Sequence, residues 1–329
     1  MAGFELICPA GTPGALRAAV EAGADAVYLG FRDETNARNF PGLNFSRDEA
    51  RDAVRMAHAR GVKVFVAINT YPRAGAPGPW RQAVDDAARI GADAVILADI
   101  GLLDYAARQH SGLRLHLSVQ ASAANADAIG LYQREFGIRR VVLPRVLTVP
   151  EIKRLNGALG VETEVFVFGG MCPMAEGRCS LSSYATGESP NLNGVCSPAS
   201  SVRYETRGAE MVSRLGPFTI NRFAADEQAG YPTLCKGRFR AAGSTSYLFE
   251  EPTSLNALAL LPDLRDAGVL GLKIEGRQRG RAYIAQVVAS HRAALDAFER
   301  GRAATPAASL AALTEGGSAT TGAYDKRWR

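Results

Sequence analysis

No Cys-x-x-Cys pair occurs anywhere in this sequence, which removes the paired knuckles of the usual structural zinc site. Histidine is scarce as well. None of the four lies between residues 169 and 261, where four of the five cysteines sit, so a nucleophilic thiol there has no imidazole base nearby. No stretch of 18 uninterrupted apolar residues exists, and no membrane-spanning segment is expected. The opening MAGFELICPAG has no basic region ahead of a long apolar run, so no secretory signal is expected either. A reducing cytosol, where structural disulfides are rare, is then the expected surrounding of the thiols, and their odd number agrees. No block of five like charges appears. The net charge of +5, from 38 basic and 33 acidic side chains, permits an anionic ligand or nucleic acid and demands neither. Internal repeats are absent.

Short apolar runs alternate with stretches of helical spacing along almost the whole chain. The strand candidates are Phe4–Cys8, Asp25–Gly30, Val62–Asn69, Asp93–Ala98, Leu113–Gln120, Arg139–Leu143, Val161–Phe168 and Val269–Glu275. Ser46-Arg47-Asp48-Glu49 reads as a capping box that starts a helix ending at Gly61. Ile284, Val287, Val288, His291, Leu295 and Phe298 share the apolar face of a last long helix. Eight strands alternating with helices predict an α/β fold, a TIM-like (β/α)8 barrel. An open doubly wound sheet is the alternative, but no Gly-x-Gly-x-x-Gly follows the first strand. The predicted division is residues 1–168 for seven β/α units, 169–261 for a cysteine-rich insertion after strand 7, 262–301 for the last unit and 302–329 for a tail held loosely until Tyr324 and Trp328.

Cys172, Cys179, Cys196 and Cys235 fall in the insertion, separated by six, sixteen and thirty-eight residues, while Cys8 stands alone in the first strand. Irregularly spaced thiolates suit an iron–sulfur cluster, whose cage takes ligands from scattered loops. Zinc and plain buried thiols stay open on spacing alone. Arg178, Arg203, Lys236 and Arg238 are available to offset an anionic cluster, and Met171, Leu181 and Val195 to shield it.

The run EVFVFGGMC (164–172) followed by GRCSLS (177–182) resembles the signature of the collagenase-like peptidase family, with Gly170 in place of the usual serine or alanine. GESPNLNGVCSPA, AGYPTLCKGR, EEPTSLNALALLP and GLKIEGRQR look like one branch of that family, and the similarity runs from ELICPAG to GAYDKRW. The resemblance implies a [4Fe–4S] cluster on Cys172, Cys179, Cys196 and Cys235. It also implies a heterodimer with UbiV, a lipid-carrier accessory protein, and oxygen-independent ring hydroxylation of a ubiquinone precursor with prephenate as oxygen donor. Proteolysis is not expected of this branch. Other relatives hydroxylate pyrimidines of transfer or ribosomal RNA. For those a basic RNA-binding surface and a further C-terminal domain are expected, and the early end of this sequence speaks against them.

Strand alternation places further candidates independently of the family. Arg114, His116, Ser118 and Gln120 share one face of their strand and should point into the barrel, with the leucines and Val119 under the helices. His116, Lys273 and Glu275 are the candidate catalytic groups, with a Lys273–Glu275 internal ion pair as the structural alternative. Arg145 and Arg277 sit at strand ends, where either can take a carboxylate in a bidentate fork or pair with Glu275 or Asp99. Asn69, Gln120, Asn36 and Arg38 complete the expected substrate-binding set, Asn39 standing beside the last two in their loop. His58, His110 and His291 are expected to have no role in the site.

Overall fold

Each of the eight apolar runs forms a strand, and the eight lie parallel in one closed ring: β1 (Glu5–Pro9), β2 (Ala26–Gly30), β3 (Lys63–Ile68), β4 (Ala94–Leu97), β5 (Arg114–Leu117), β6 (Arg140–Val142), β7 (Glu162–Gly170) and β8 (Gly271–Ile274). Pairing of β8 with both β1 and β7 closes the barrel. This is a computed structural model, which describes residues 3–172, 179–227, 229–303 and 308–325. Arg178 and Trp328 lie outside the described residues.

Helices α1 (Pro13–Glu21), α2 (Arg47–His58), α3 (Gly78–Arg89), α4 (Ile100–Gln109), α5 (Ala126–Phe136), α6 (Val149–Ala158), α7 (Leu261–Asp266) and α8 (Arg281–Glu299) surround the ring. Their starts are written locally. Thr12, Ser46, Asp99, Asn125 and Thr148 each accept a hydrogen bond from the backbone N–H three residues on, a contact that stabilises a helix by about 1 kcal/mol. The expected capping box is present, with Ser46 Oγ accepting from Glu49 N at 3.1 Å and Glu49 Oε2 from Ser46 N at 2.8 Å. Asp99, a possible arginine partner by sequence, serves as the cap of α4 instead.

The reading of Leu113–Gln120 as one strand needs correction. β5 stops at Leu117, because Ser118 Oγ accepts from Gln120 N at 3.2 Å and turns the chain into a 3-10 segment over Val119–Ala121. Val119, in this turn, borders the mouth of the barrel while remaining part of the core under the helices.

Outward-facing aliphatic residues of the strands pack under the helices as the main core. Inside the ring, a cluster from β1–β4 is apolar (Ile7, Ala26, Tyr28, Phe65, Ala67, Ala94, Ile96), whereas β5–β8 contribute His116, Arg140, Glu164 and Lys273. Most of the buried charge in the lumen thus comes from β5–β8, joined by Glu5 of β1.

The chain leaves the barrel at the end of β7, on the face where barrel enzymes build their sites. It then forms a helix (Leu181–Thr186), a three-stranded antiparallel sheet (Val202–Arg207, Glu210–Leu215, Phe218–Phe223) and a hairpin (Arg238–Ala241 with Ser244–Tyr247) around Ala185, Leu215 and Ile220. Ser254–Asn256 returns antiparallel to β7, with Ser254 opposite Gly170. The tail is tied down earlier than expected. Leu310 is buried, Ala319–Thr320 pairs with Ser254–Leu255, and Tyr324 donates from its hydroxyl to Phe166 O at 2.6 Å.

His291 is a packing residue, as its helical position suggests. It is buried in α8, its ring edge-on to Phe168 with centroids 5.1 Å apart, and Nδ1 lies 2.8 Å from Val287 O. Burial pushes its pKa down to about 4. The neutral form is thus favoured by folding, so its stabilisation is complete above the ordinary value near 6.5 and is lost as pH falls from there toward 4. Urea denaturation should show stability dropping by roughly 3 kcal/mol over that window, with a shallower drop in His291→Leu.

Candidate active site

Arg140 organises the floor of the lumen. Its guanidinium reaches Glu5 at 2.5 Å, Glu162 at 2.7 Å and Glu164 at 3.3 Å, while Lys63 holds Glu5, Arg114 holds Glu162 and Lys273 holds Glu164 at 2.6 Å. His116 sits within this layer, edge-on to Phe65, with Nε2 accepting from Arg114 Nε at 3.1 Å. Burial, then the charges of Arg140, Arg114, Lys273 and Lys63, hold its imidazole well below the usual range and neutral. The ring does not line the cavity above.

That cavity opens at the C-terminal ends of the strands and has a volume of about 50 Å³. Seven of the nine barrel residues singled out by sequence border it: Arg38, Asn69, Gln120, Arg145, Lys273, Glu275 and Arg277. His116 and Asn36 do not. Asn36 is fully buried, donating to Phe31 O at 2.5 Å and accepting from Arg38 N, so it shapes the loop that carries Arg38. Asn69 likewise bridges loops, accepting from Ala37 N and donating to Ser118 Oγ.

The Lys273–Glu275 ion pair, the structural alternative to a catalytic role, does not form. Lys273 reaches across to Glu164 on neighbouring β7, whereas Glu275 lies just past the end of β8, between Arg38 at 2.5 Å and Arg145 at 2.7 Å. Burial alone would raise the Glu275 carboxyl. Arg145 and then Arg38 outweigh it and hold the group at about 2, ionised at any working pH. Arg145 is further fixed with its guanidinium 3.6 Å above the Phe166 ring. Sequence reasoning missed Tyr28, which lines the cavity and donates to Ile274 O at 2.9 Å. Its alternation with Ala26 and Gly30 along β2 was the available signal.

The insertion brings thiols to this mouth. Gly194, with φ +77°, lies so close to the Arg38 loop that a Cβ there would sit 2.2 Å from Asn36 O, which seats the Cys196 turn on the barrel. Cys235 is held from the other side. Its carbonyl accepts from Glu250 N, and the adjacent Lys236 pairs with Glu315, which also binds Arg279 at 3.0 Å. Desolvation by the surrounding protein raises the thiols of Cys196, which keeps an exposed surface, and of half-buried Cys235, and Cys179 is near enough to both to raise them further. Cys196 is in turn within electrostatic reach of Arg38 and Glu275. Three soft donors beside the cations Arg38 and Lys236 suit an anionic iron–sulfur cluster in donor chemistry. Among the described residues, however, no group of three or more His, Cys, Asp or Glu side chains is drawn together as a metal site. Cys172 is exposed just past β7, Val195 is buried beside Cys196, and Met171 packs against the barrel core. Of the remaining basic candidates, Arg203 is exposed and Arg238 pairs with Glu227. Cys8 is buried in β1, away from the other thiols.

Gly194→Ala should therefore act twice, through its left-handed backbone and through the clash. Gly187 has nearly the same φ, +76°, with nothing near a would-be Cβ. Gly187→Ala is expected to lower stability by about 1 kcal/mol, and Gly194→Ala by that amount plus the displacement of the Cys196 turn. Thermal melting compares the two.

Fold and site together define a (β/α)8-barrel protein with a charged cleft at the strand C-termini and thiols at its rim. The family model of peptidase family U32 matches residues 11–322, and the chain belongs to that family. It is similar to tRNA hydroxylation protein P of Escherichia coli, with 31% identity over 91% of this chain and 69% of the relative. For tRNA hydroxylation protein P1 of Bacillus subtilis the figures are 30%, 89% and 63%. For the 23S rRNA 5-hydroxycytidine C2501 synthase of E. coli they are 30%, 91% and 40%. The chain thus spans about two thirds of the first two relatives and two fifths of the third. No described helix is long and apolar enough to cross a membrane.

Proposed function

We propose that this chain is the iron–sulfur subunit of an oxygen-independent hydroxylase, a UbiU-type protein that works with UbiV to add a ring hydroxyl to a ubiquinone precursor, prephenate supplying the oxygen. The signatures around the four cysteines support the branch, and the names of the relatives support hydroxylation as the chemistry. The observation that carries the reading is the seating of the Cys196 turn on the Arg38 loop, which sets thiols beside the cleft. Cys172, Cys179, Cys196 and Cys235 would hold a [4Fe–4S] cluster, which supplies one-electron transfer when bound. The barrel's own groups bind and orient. Glu275 stays charged and fixes Arg38 and Arg145, Lys273 closes the bottom of the cleft, and Arg277 and Gln120 face the donor. A lipid-carrier accessory protein presents the isoprenoid precursor.

A second reading takes the ring from RNA, as in a prephenate-dependent hydroxylase of tRNA or rRNA pyrimidines. The names of the relatives favour it directly. One experiment separates the two: a deletion strain grown without oxygen, with quinones and RNA nucleosides both quantified. Loss of ubiquinone with intact hydroxypyrimidines supports the quinone reading. The reverse supports RNA, and no change in either defeats both.

A further inference from the structure

Arg277 is unlike the other cations at the mouth. Arg38 and Arg145 share Glu275, Lys273 has Glu164, and Lys236 and Arg279 share Glu315. Arg277 is only 4% exposed, borders the cavity, and forms none of the ion pairs or hydrogen bonds found among the described residues, its buried Nη1 included. A guanidinium nitrogen held from water without a hydrogen-bond partner is costly, so a fold that keeps one beside a cleft is built around something that completes it.

The surroundings hold this arginine in place. A Cβ on Gly11 would sit 1.7 Å from Arg277 O, and one on Gly30 would sit 2.5 Å from Nη1 and 2.6 Å from Asn36 Cγ. Two glycines thus make room for its backbone and for its head. The guanidinium carbon stands 5.8 Å from the centre of the Tyr28 ring, which gives one side of the cleft an aromatic wall. The cavity's 50 Å³ is enough for a few waters or a carboxylate.

We propose that Arg277 is the anchor for one carboxylate of a small organic acid, whose end enters the cleft while its body extends toward Arg38 and the Cys196 turn. The planar fork of the side chain matches a carboxylate with two parallel N–H···O bonds. The assignment rests on the proposed hydroxylase reading only for the acid's role as oxygen donor. The anion site itself does not depend on which ring is hydroxylated.

The test is calorimetric titration of the full chain, purified without oxygen, with prephenate, succinate and inorganic phosphate. Wild type should bind prephenate. Arg277→Lys, which keeps the charge and loses the fork, should bind it about tenfold more weakly, and Arg277→Gln roughly a hundredfold more weakly. Gly30→Ala, which displaces the head without altering charge, should weaken binding as well, with circular dichroism confirming that each variant is folded. Tighter binding of phosphate than of either carboxylate would overturn the assignment. So would unchanged prephenate affinity in folded Arg277→Gln, or no carboxylate binding by wild type up to millimolar concentration. If Arg277-dependent binding is found while the deletion strain keeps both its ubiquinone and its hydroxypyrimidines, the anion site stands and the hydroxylase reading falls. If the strain loses either product while prephenate binding is independent of Arg277, the hydroxylase reading stands and the anion site falls.

Discussion

Cys196→Ser protein, purified without oxygen, is expected to be folded and nearly colourless, with iron below about a tenth of the wild-type content. Serine offers a hard oxygen in place of a soft thiolate, and a four-thiolate cage loses a corner. The fold should survive because the insertion packs on its own apolar centre of Ala185, Leu215 and Ile220, and the barrel core does not include Cys196. Cys172→Ser, Cys179→Ser and Cys235→Ser should behave alike, and hydroxylated product should fall to background in all four. Cys8→Ser is the control, because Cys8 lies buried in β1 and should leave the iron content unchanged. Iron and acid-labile sulfide assays check each case. A colourless Cys8→Ser protein beside a brown Cys196→Ser protein would reject the ligand assignment.

Arg140→Ala should give the largest loss of stability. The substitution removes from the floor a cation that contacts Glu5, Glu162 and Glu164. Lys63, Arg114 and Lys273 remain, one for each carboxylate, but the buried Glu5 and Glu164 and the half-buried Glu162 then lose their shared centre. Breaking a buried network from one side typically destabilises by about 3–5 kcal/mol, so the melting temperature should fall by roughly 10 °C. Arg55→Ala, which removes an exposed pair with Asp52, should shift it little, by under about 1 kcal/mol. Equal melting temperatures for Arg140→Ala and Arg55→Ala would show that the floor network carries no such weight.

The barrel could be read from the sequence because its signals are local. Aliphatic runs of strand length and side-chain caps such as Ser46 and Thr148 act within a few residues of themselves. What failed depended on register. Alternation correctly turns His116 and Lys273 inward, but it does not give their height along the barrel axis. That height follows from strand stagger, which sets His116 level with Arg140 in the floor and brings Glu164 beside Lys273. The same limit left the Lys273–Glu275 pair open as an alternative, reasonable along one strand and displaced by a neighbour on another. At β5 a single serine side chain, Ser118, ended the strand where its apolar pattern continued. The four cysteines stood out by number and context. The contact that seats the Cys196 turn depends on Gly194 lying against a loop more than 150 residues earlier, which no local pattern encodes.

The central claim is that thiols gathered at the rim of this barrel hold iron and sulfide. The most direct measurement is metal and sulfide analysis of the protein purified without oxygen, joined to its Mössbauer spectrum. About four iron and four sulfide per chain, with the quadrupole doublet of a [4Fe–4S] cluster, is the expected result. About one zinc per chain and no sulfide would contradict it.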